Sequence, residues 1–210
     1  DEHRSNHGNF ALAGMPYDSV RSELPQLLSD MRDSSQRITA TVGTLRDFAR
    51  QAAEELDEEV DLNCAIAAAI ELLSGTLRKC TDRFEHAAEA DLPTLRGNPQ
   101  HLVQAVACLL TNACEALTEH SQAIRIATRH DVERHSIRMD IEDEGCGMAP
   151  EVLALAGTPF FTTRHAQGKL GLGLTAASVL ISRFGGTLNV NSASNRGTRV
   201  RVAFPVPAMN

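Results

Sequence analysis

Between Asp18 and Ala49 the chain repeats one pattern of apolar positions. Leu24, Leu28, Met31, Ser35, Ile38, Val42, Leu45 and Ala49 follow at alternating spacings of four and three, with Leu27 and Phe48 alongside. This is a seam of the heptad kind and predicts a long helix over 19–50. Charges occupy its other faces, so the stripe needs a partner: either its own domain, as an ordinary amphipathic helix, or a helical bundle shared with a second chain. The unbroken register over nearly four heptads favours the bundle. After an acidic, linker-like "QAAEELDEE", short mixed periods take over. Val60-Asp61-Leu62 predicts a short strand, 63–79 a helix with Asn63 at its cap, 83–90 a strand, and 92–98 a strand ending in a turn. A strongly apolar helix is expected over 99–117, and "QAIRIATRH" and "HSIRMDIED" alternate apolar and polar residues as a hairpin pair of strands does. Residues 150–170 are loop-rich; a helix at 172–184 and two strands, "GTLNVNSA" and "GTRVRVAFP", close the chain.

Residues 1–17, polar with Gly, Pro and Asn, read as a loop. The regular alternation of strand and helix that a doubly wound parallel sheet needs is missing. The expected fold is an α/β (α+β) sandwich, one mixed sheet covered by helices on one face and preceded by the long coiled-coil-like helix. The expected division is 1–56 and 57–210.

The 210 residues, 42% of them hydrophobic, are enough for one or two domains with a core. A net charge of −7 and scattered basic residues argue against a general nucleic-acid binder, which needs dense Lys and Arg on one face. A small phosphate ligand stays open, because a helix N-terminus and a few cations suffice for it. Five cysteines form no C-x-x-C pair and no cluster with histidine at metal spacing; they read as reduced, mostly buried small hydrophobes of a cytosolic compartment. No apolar run approaches the ~18 residues of a membrane span, and "DEHRSNHGNF" carries no signal-peptide pattern; its abrupt charged start suggests a fragment of a longer protein.

Three stretches carry candidate chemistry. Asn112 stands among Leu109, Leu110, Ala113 and Ala116; it is either a satisfied buried amide or a carbonyl aimed at a cation. In "DIEDEGCGM" a strand ends at Asp143 and runs into Gly145-x-Gly147. A carboxylate there can accept from an exocyclic amine while a flat base lies on bare backbone, although D-x-G-x-G alone is a common turn. In "TPFFTTRHAQGKLGLGL" two aromatics, two threonines, Arg164 and Lys169 precede a Gly-rich helix start. Gly-x-Gly running into a helix suits close approach of N–H groups to phosphate, and equally suits a plain loop.

In this order, the stretches resemble the four boxes of the GHKL-type ATP-binding domain of sensor histidine kinases: an N box "LLTNACEAL", a first Gly box "DEGCGM", an F box "PFFTTR" and a second Gly box "GKLGLGL". The resemblance covers residues 60–205 and is nearest the nitrogen-regulator type of two-component kinase, whose lid reads "PFFTT". It implies a Bergerat-type ATP-binding fold. It also implies transfer of the γ-phosphoryl group of Mg-ATP to a histidine, for relay to the aspartate of a response-regulator receiver domain. Asn112 is implied as the Mg²⁺ ligand, and Asp143 as acceptor of the adenine amine, with Gly145 and Gly147 giving the base room. Ala116 and Met148 fall within the same boxes. Thr162, Thr163, Arg164 and Lys169 are implied in a lid, the backbone of Gly171, Leu172, Gly173 and Leu174 as a phosphate cradle, and Thr198 near the nucleotide.

Two positions depart from the family pattern. Cys108 stands where hydrolytic GHKL ATPases carry a glutamate base, and a thiol cannot serve as that base. Glu115 stands where many such kinases have lysine, which leaves more of the phosphate charge to Arg164 and Lys169. His3 and His7 lack the phosphoacceptor pattern, so the accepting histidine is expected upstream of Asp1, with 19–50 as the second helix of a dimerisation hairpin. The implied whole is a homodimer through that hairpin, cytoplasmic or the cytosolic part of a membrane-bound sensor, with no nucleic acid and no membrane contact by this segment. The rival readings are a nucleotide-binding pseudokinase or interaction module and a hydrolytic GHKL ATPase.

Overall fold

The computed structural model describes residues 11–12, 15–16, 58–164 and 171–206. The chain divides into two compact units, Asp1–Ala49 and Arg50–Asn210. In the first, strands β1 (Ala11–Leu12) and β2 (Met15–Pro16) pair antiparallel, with Leu12 opposite Met15. A miniature ladder therefore replaces part of the loop expected for residues 1–17. The helix expected over 19–50 lies outside the described residues.

The second unit begins with β3 (Glu58–Val60), which pairs antiparallel with β5 (Leu95–Gly97). Helix α1 (Leu62–Leu72) is capped by Asp61, whose carboxylate accepts the Cys64 N–H at 3.0 Å. The expected cap, Asn63, is one residue too late. It ties α1 to the sheet instead, donating to the Glu89 carbonyl at 2.8 Å and accepting from the Thr128 hydroxyl at 2.9 Å. The single helix expected over 63–79 is two, because the chain leaves helical geometry at Leu73 (φ −96°, ψ 6°) before α2 (Ser74–Cys80). Ser74 and Gly75 favour such a break, since neither holds a helix interior well.

Strand β4 (Arg83–Ala87) is followed, after β5, by α3 (Pro99–Ala116). Asn98 caps α3 by accepting the Gln100 N–H at 2.9 Å, and Pro99 occupies the first turn, where its missing N–H costs nothing. Leu102, Ala105, Val106, Leu109, Leu110 and Ala113 recur at helical spacing and form its buried face. Burying side chains such as Leu102 and Leu110 contributes about 1.5–3 kcal/mol each. The hairpin of β6 (Ala123–Asp131) and β7 (Ser136–Asp143) forms as expected. A short helix, α4 (Pro150–Leu155), lies inside the stretch expected to be loop. It is followed by α5 (Gly173–Ser182), β8 (Thr187–Ser192) and β9 (Thr198–Pro205).

Five strands form one mixed sheet in the order β4-β6-β7-β9-β8, parallel only between β4 and β6. Ile137, Met139 and Ile141 of β7 alternate inward, and with Val202 and Phe204 of β9 they join one buried cluster with Ile66 of α1, Leu110 of α3 and Ile181 of α5. The outward residues of the same strands are charged. Asp140 pairs with Arg138 at 3.1 Å and Arg201 at 2.7 Å, and Glu142 with Arg199 at 2.8 Å. An apolar face and a charged face fix the register, since a slip of one residue would reverse them. The fold class read from the sequence, a mixed sheet with helices on one face, is the fold observed. Among the described residues no helix is long and apolar enough to cross a membrane.

Candidate functional site

Register delivers Asp143 to a defined place: it is the last residue of β7, directly opposite Thr198 at the start of β9. Its Oδ1 accepts the Gly145 N–H at 2.9 Å, and the Thr198 backbone N–H also donates to the carboxylate. Partial burial pushes its pKa up to about 6, because the charged form loses water; the two N–H groups and the positive charge of Arg164 oppose that shift and are outweighed. The carboxylate is thus an acceptor at neutral pH.

The glycines around it leave no space for side chains. A Cβ on Gly145 would collide with the Ala116 carbonyl, and one on Gly147 (φ 61°) with the Ala193 carbonyl. The Ala116 carbonyl accepts the Cys146 N–H at 2.9 Å, so the end of α3 holds this loop from below. From the other side, Asn195 N–H donates to the Cys146 carbonyl at 2.7 Å and Gly197 N–H to the Gly145 carbonyl at 3.0 Å. The Met148 N–H donates to Ser192 Oγ at 2.9 Å, and Ser192 Oγ lies 3.1 Å from Thr198 Oγ1. Ser192 and Gly197 were missed in the sequence. Gly197 (φ 72°) is buried against the Asp143 carbonyl, and the "SNRGT" turn was the available signal.

Asn112 lies half-buried on α3, and among the described residues nothing hydrogen-bonds its side-chain amide. A Cβ on Gly173, the first residue of α5, would stand 2.9 Å from Asn112 Oδ1. Bare backbone at a helix start therefore lies directly against the amide. Leu172 caps α5 without a side-chain hydrogen bond, so the cap residue itself satisfies none of the first-turn N–H groups. Leu172 and Leu174 are half-buried there. Gly171 (φ 67°) packs so closely on the Phe161 backbone that a side chain would not fit. Between those points, Thr162 Oγ1 accepts the Arg164 N–H at 3.0 Å, Thr163 is exposed, and Lys169 lies outside the described residues.

Arg164 is not free. Its guanidinium pairs with Glu115 at 3.4 Å, both side chains about a quarter exposed (26% and 24%), and reaches Cys146 Sγ at 4.0 Å. The glutamate that stands in place of a lysine thus engages the cation expected to compensate for it. Cys108 is half-buried on α3, and burial pushes its thiol up, away from any role as a base. The expectation of mostly buried cysteines fails. Cys64 and Cys146 are exposed, Cys80 and Cys108 half-buried, and Cys114 alone is buried, because Cys64 falls on the outer face of α1 and Cys146 on a surface loop. Among the described residues no group of His, Cys, Asp and Glu could hold a metal by itself.

The profile of the family "Histidine kinase-, DNA gyrase B-, and HSP90-like ATPase" matches residues 97–208, just over half of the chain. The chain is 28% identical over 184 residues to the sensor histidine kinase ZraS of Escherichia coli K12, covering 88% of this chain and 38% of that protein. It is 30% identical over 176 residues to the C4-dicarboxylate transport sensor protein DctB of Pseudomonas aeruginosa, covering 83% and 28%. It therefore spans well under half the length of these curated relatives. Among solved structures, the mycobacterial sensor histidine kinase MprB superposes with a TM-score of 0.61 at 24% identity, over 73% of this chain and 99% of that one. Full-length ShkA in complex with AMPPNP gives 0.69 at 22%, over 87% and 39%. These two show the fold. The matched profile covers just over half of the chain, which therefore belongs to the family of histidine kinase-, DNA gyrase B- and HSP90-like ATPases.

Proposed function

We propose that this chain binds Mg-ATP between α3, the Asp143 loop and the start of α5, and transfers the γ-phosphoryl group to a histidine of the larger protein's dimerisation hairpin. A response-regulator aspartate then receives the phosphoryl group. The observation that carries the reading is the closeness of Asn112 to the start of α5, where a Cβ on Gly173 would stand 2.9 Å from Asn112 Oδ1. It joins an amide that has no hydrogen-bond partner among the described residues to helix N–H groups suited to phosphate.

In this reading Asp143 accepts the adenine amine, and the glycine backbone of 145 and 147 lets the ring lie close. Ala116 and Met148 line the approach, and Thr198, through its backbone N–H, keeps the Asp143 carboxylate aimed. Gly171 to Leu174 donate N–H groups to phosphate oxygens. Asn112 supplies the protein oxygen for Mg²⁺, a hard cation that takes few protein ligands and keeps several waters. When bound, Mg²⁺ neutralises charge developing on the transferred group. Arg164, with Thr162 and Thr163 beside it and Lys169 further along, carries positive charge toward the same place once it parts from Glu115. Hydrolysis is disfavoured, since Cys108 is a poor base held neutral by burial. A homodimer built through 1–56, with 57–210 as the ATP-binding module, a cytoplasmic setting and a receiver-domain partner complete the proposal.

Calorimetric titration with Mg-ATP and with adenosine tests it. Asp143→Asn puts an N–H donor where the adenine amine also donates, and should weaken both ligands by about 1.5–3 kcal/mol, roughly ten- to a hundredfold or more. Asn112→Ala should weaken Mg-ATP and leave adenosine nearly unchanged. Unchanged affinities in Asp143→Asn would refute the assignment of the base site; equal losses for both ligands in Asn112→Ala would make Asn112 a wall residue.

A further inference from the structure

Two thiols meet where the proposed reaction has no use for them. Cys80 closes α2 and Cys114 sits in the last turn of α3, and their Sγ atoms are 2.9 Å apart, with Cys80 donating. The Cys80 thiol also lies 3.3 Å from the Leu77 carbonyl. The side chains converge from two packed helices, and a disulfide would bring the sulfurs together to about 2.0 Å. Access is unequal: Cys80 is half-buried, whereas Cys114 is 7% exposed.

We propose that Cys80 and Cys114 form an oxidation-responsive pair that closes to a disulfide under a peroxide, stapling α2 to the end of α3. The Cys80 sulfur attacks one oxygen of hydrogen peroxide; the O–O bond breaks, Cys80 becomes a sulfenic acid, and its thiol proton leaves with the displaced hydroxide as water. Cys114 then attacks the sulfenic sulfur. The S–O bond breaks, the S–S bond forms, and the Cys114 proton departs with the hydroxyl as a second water. Both thiols are oxidised, one electron each, and peroxide is reduced to two waters. Cys80 is the more accessible of the two sulfurs, which makes Cys80 the attacking thiol and Cys114 the resolving one. A neighbour at contact distance captures the sulfenic acid before further oxidation.

The whole chain is treated with hydrogen peroxide, alkylated, digested without reductant and mapped by mass spectrometry. The expected result is a Cys80–Cys114 linked peptide pair that reductant dissolves. The oxidised chain should also unfold roughly 6–12 °C above the reduced one, because the cross-link restricts the unfolded chain. Cys80→Ser should give no such gain. Recovery of Cys80 and Cys114 as alkylated thiols while the exposed Cys64 and Cys146 are oxidised would overturn the proposal, as would an equal gain in Cys80→Ser. None of these readouts depends on nucleotide, so failure here leaves the proposed activity untouched.

Discussion

Asp143 is the residue at which folding and the proposed binding pull in opposite directions. Its pKa of about 6 in the folded chain exceeds the ordinary 3.8, so the protonated form is favoured by folding. The sign follows: this contribution to stability is complete below about pH 4 and is lost as pH rises through 6. The ligand-free chain should therefore lose on the order of 2 kcal/mol from this residue across that window, and Asp143→Asn should remove that part of the pH dependence. Denaturant unfolding between pH 4 and pH 7 decides it; parallel curves for the two proteins would show that burial of this carboxylate costs little. A site that keeps a partly desolvated charge in wait for a ligand is less stable empty than filled, which is the usual relation between a binding group and its scaffold.

At the scale of elements, the glycines separate into those that close the site and those that do not. Gly197 combines φ 72° with direct contact on the Asp143 carbonyl, whereas Gly75 in α2 faces open space. Gly197→Ala should cost about 1–3 kcal/mol, and Gly75→Ala should add about 0.5–1 kcal/mol by restricting the unfolded chain. Thermal unfolding of both variants checks this, and a neutral Gly197→Ala would mean the β9 turn does not clamp the loop. The same contrast explains what could be read from the chain. The 99–116 helix and the 123–143 hairpin were legible because their apolar periods are long and uninterrupted. The fold class was legible from the order of those elements, and the four boxes from their resemblance to a known family. The break at Leu73, the Asp61 cap and helix α4 were not, since each turns on one or two residues whose choice is settled by packing. Ser192 stayed hidden because its role lies in one hydroxyl reaching across from β8. The Glu115–Arg164 pair stayed hidden because its partners are distant in sequence.

For the molecule as a whole, the boxes, the sheet and the buried cluster all lie beyond Glu58. The proposed domain from about Glu55 onward should fold and bind ATP without the preceding segment, and the seam of Leu24, Leu28, Met31, Ile38, Val42 and Leu45 should serve association between chains. If that seam instead packs on the α/β domain, deleting residues 1–52 would expose side chains worth roughly 1.5–3 kcal/mol each, and the remainder would unfold. Thermal unfolding of the truncated chain, with and without nucleotide, separates the two. The central claim is transfer of phosphate, and one assay meets it directly: the chain is incubated with Mg-ATP labelled at the γ-position and a segment carrying the hairpin histidine of the full-length protein. The account predicts acid-labile, base-stable phosphate on that segment, absent with Asp143→Asn. A chain that binds Mg-ATP yet leaves the histidine unlabelled would contradict it and leave a nucleotide-binding module in its place.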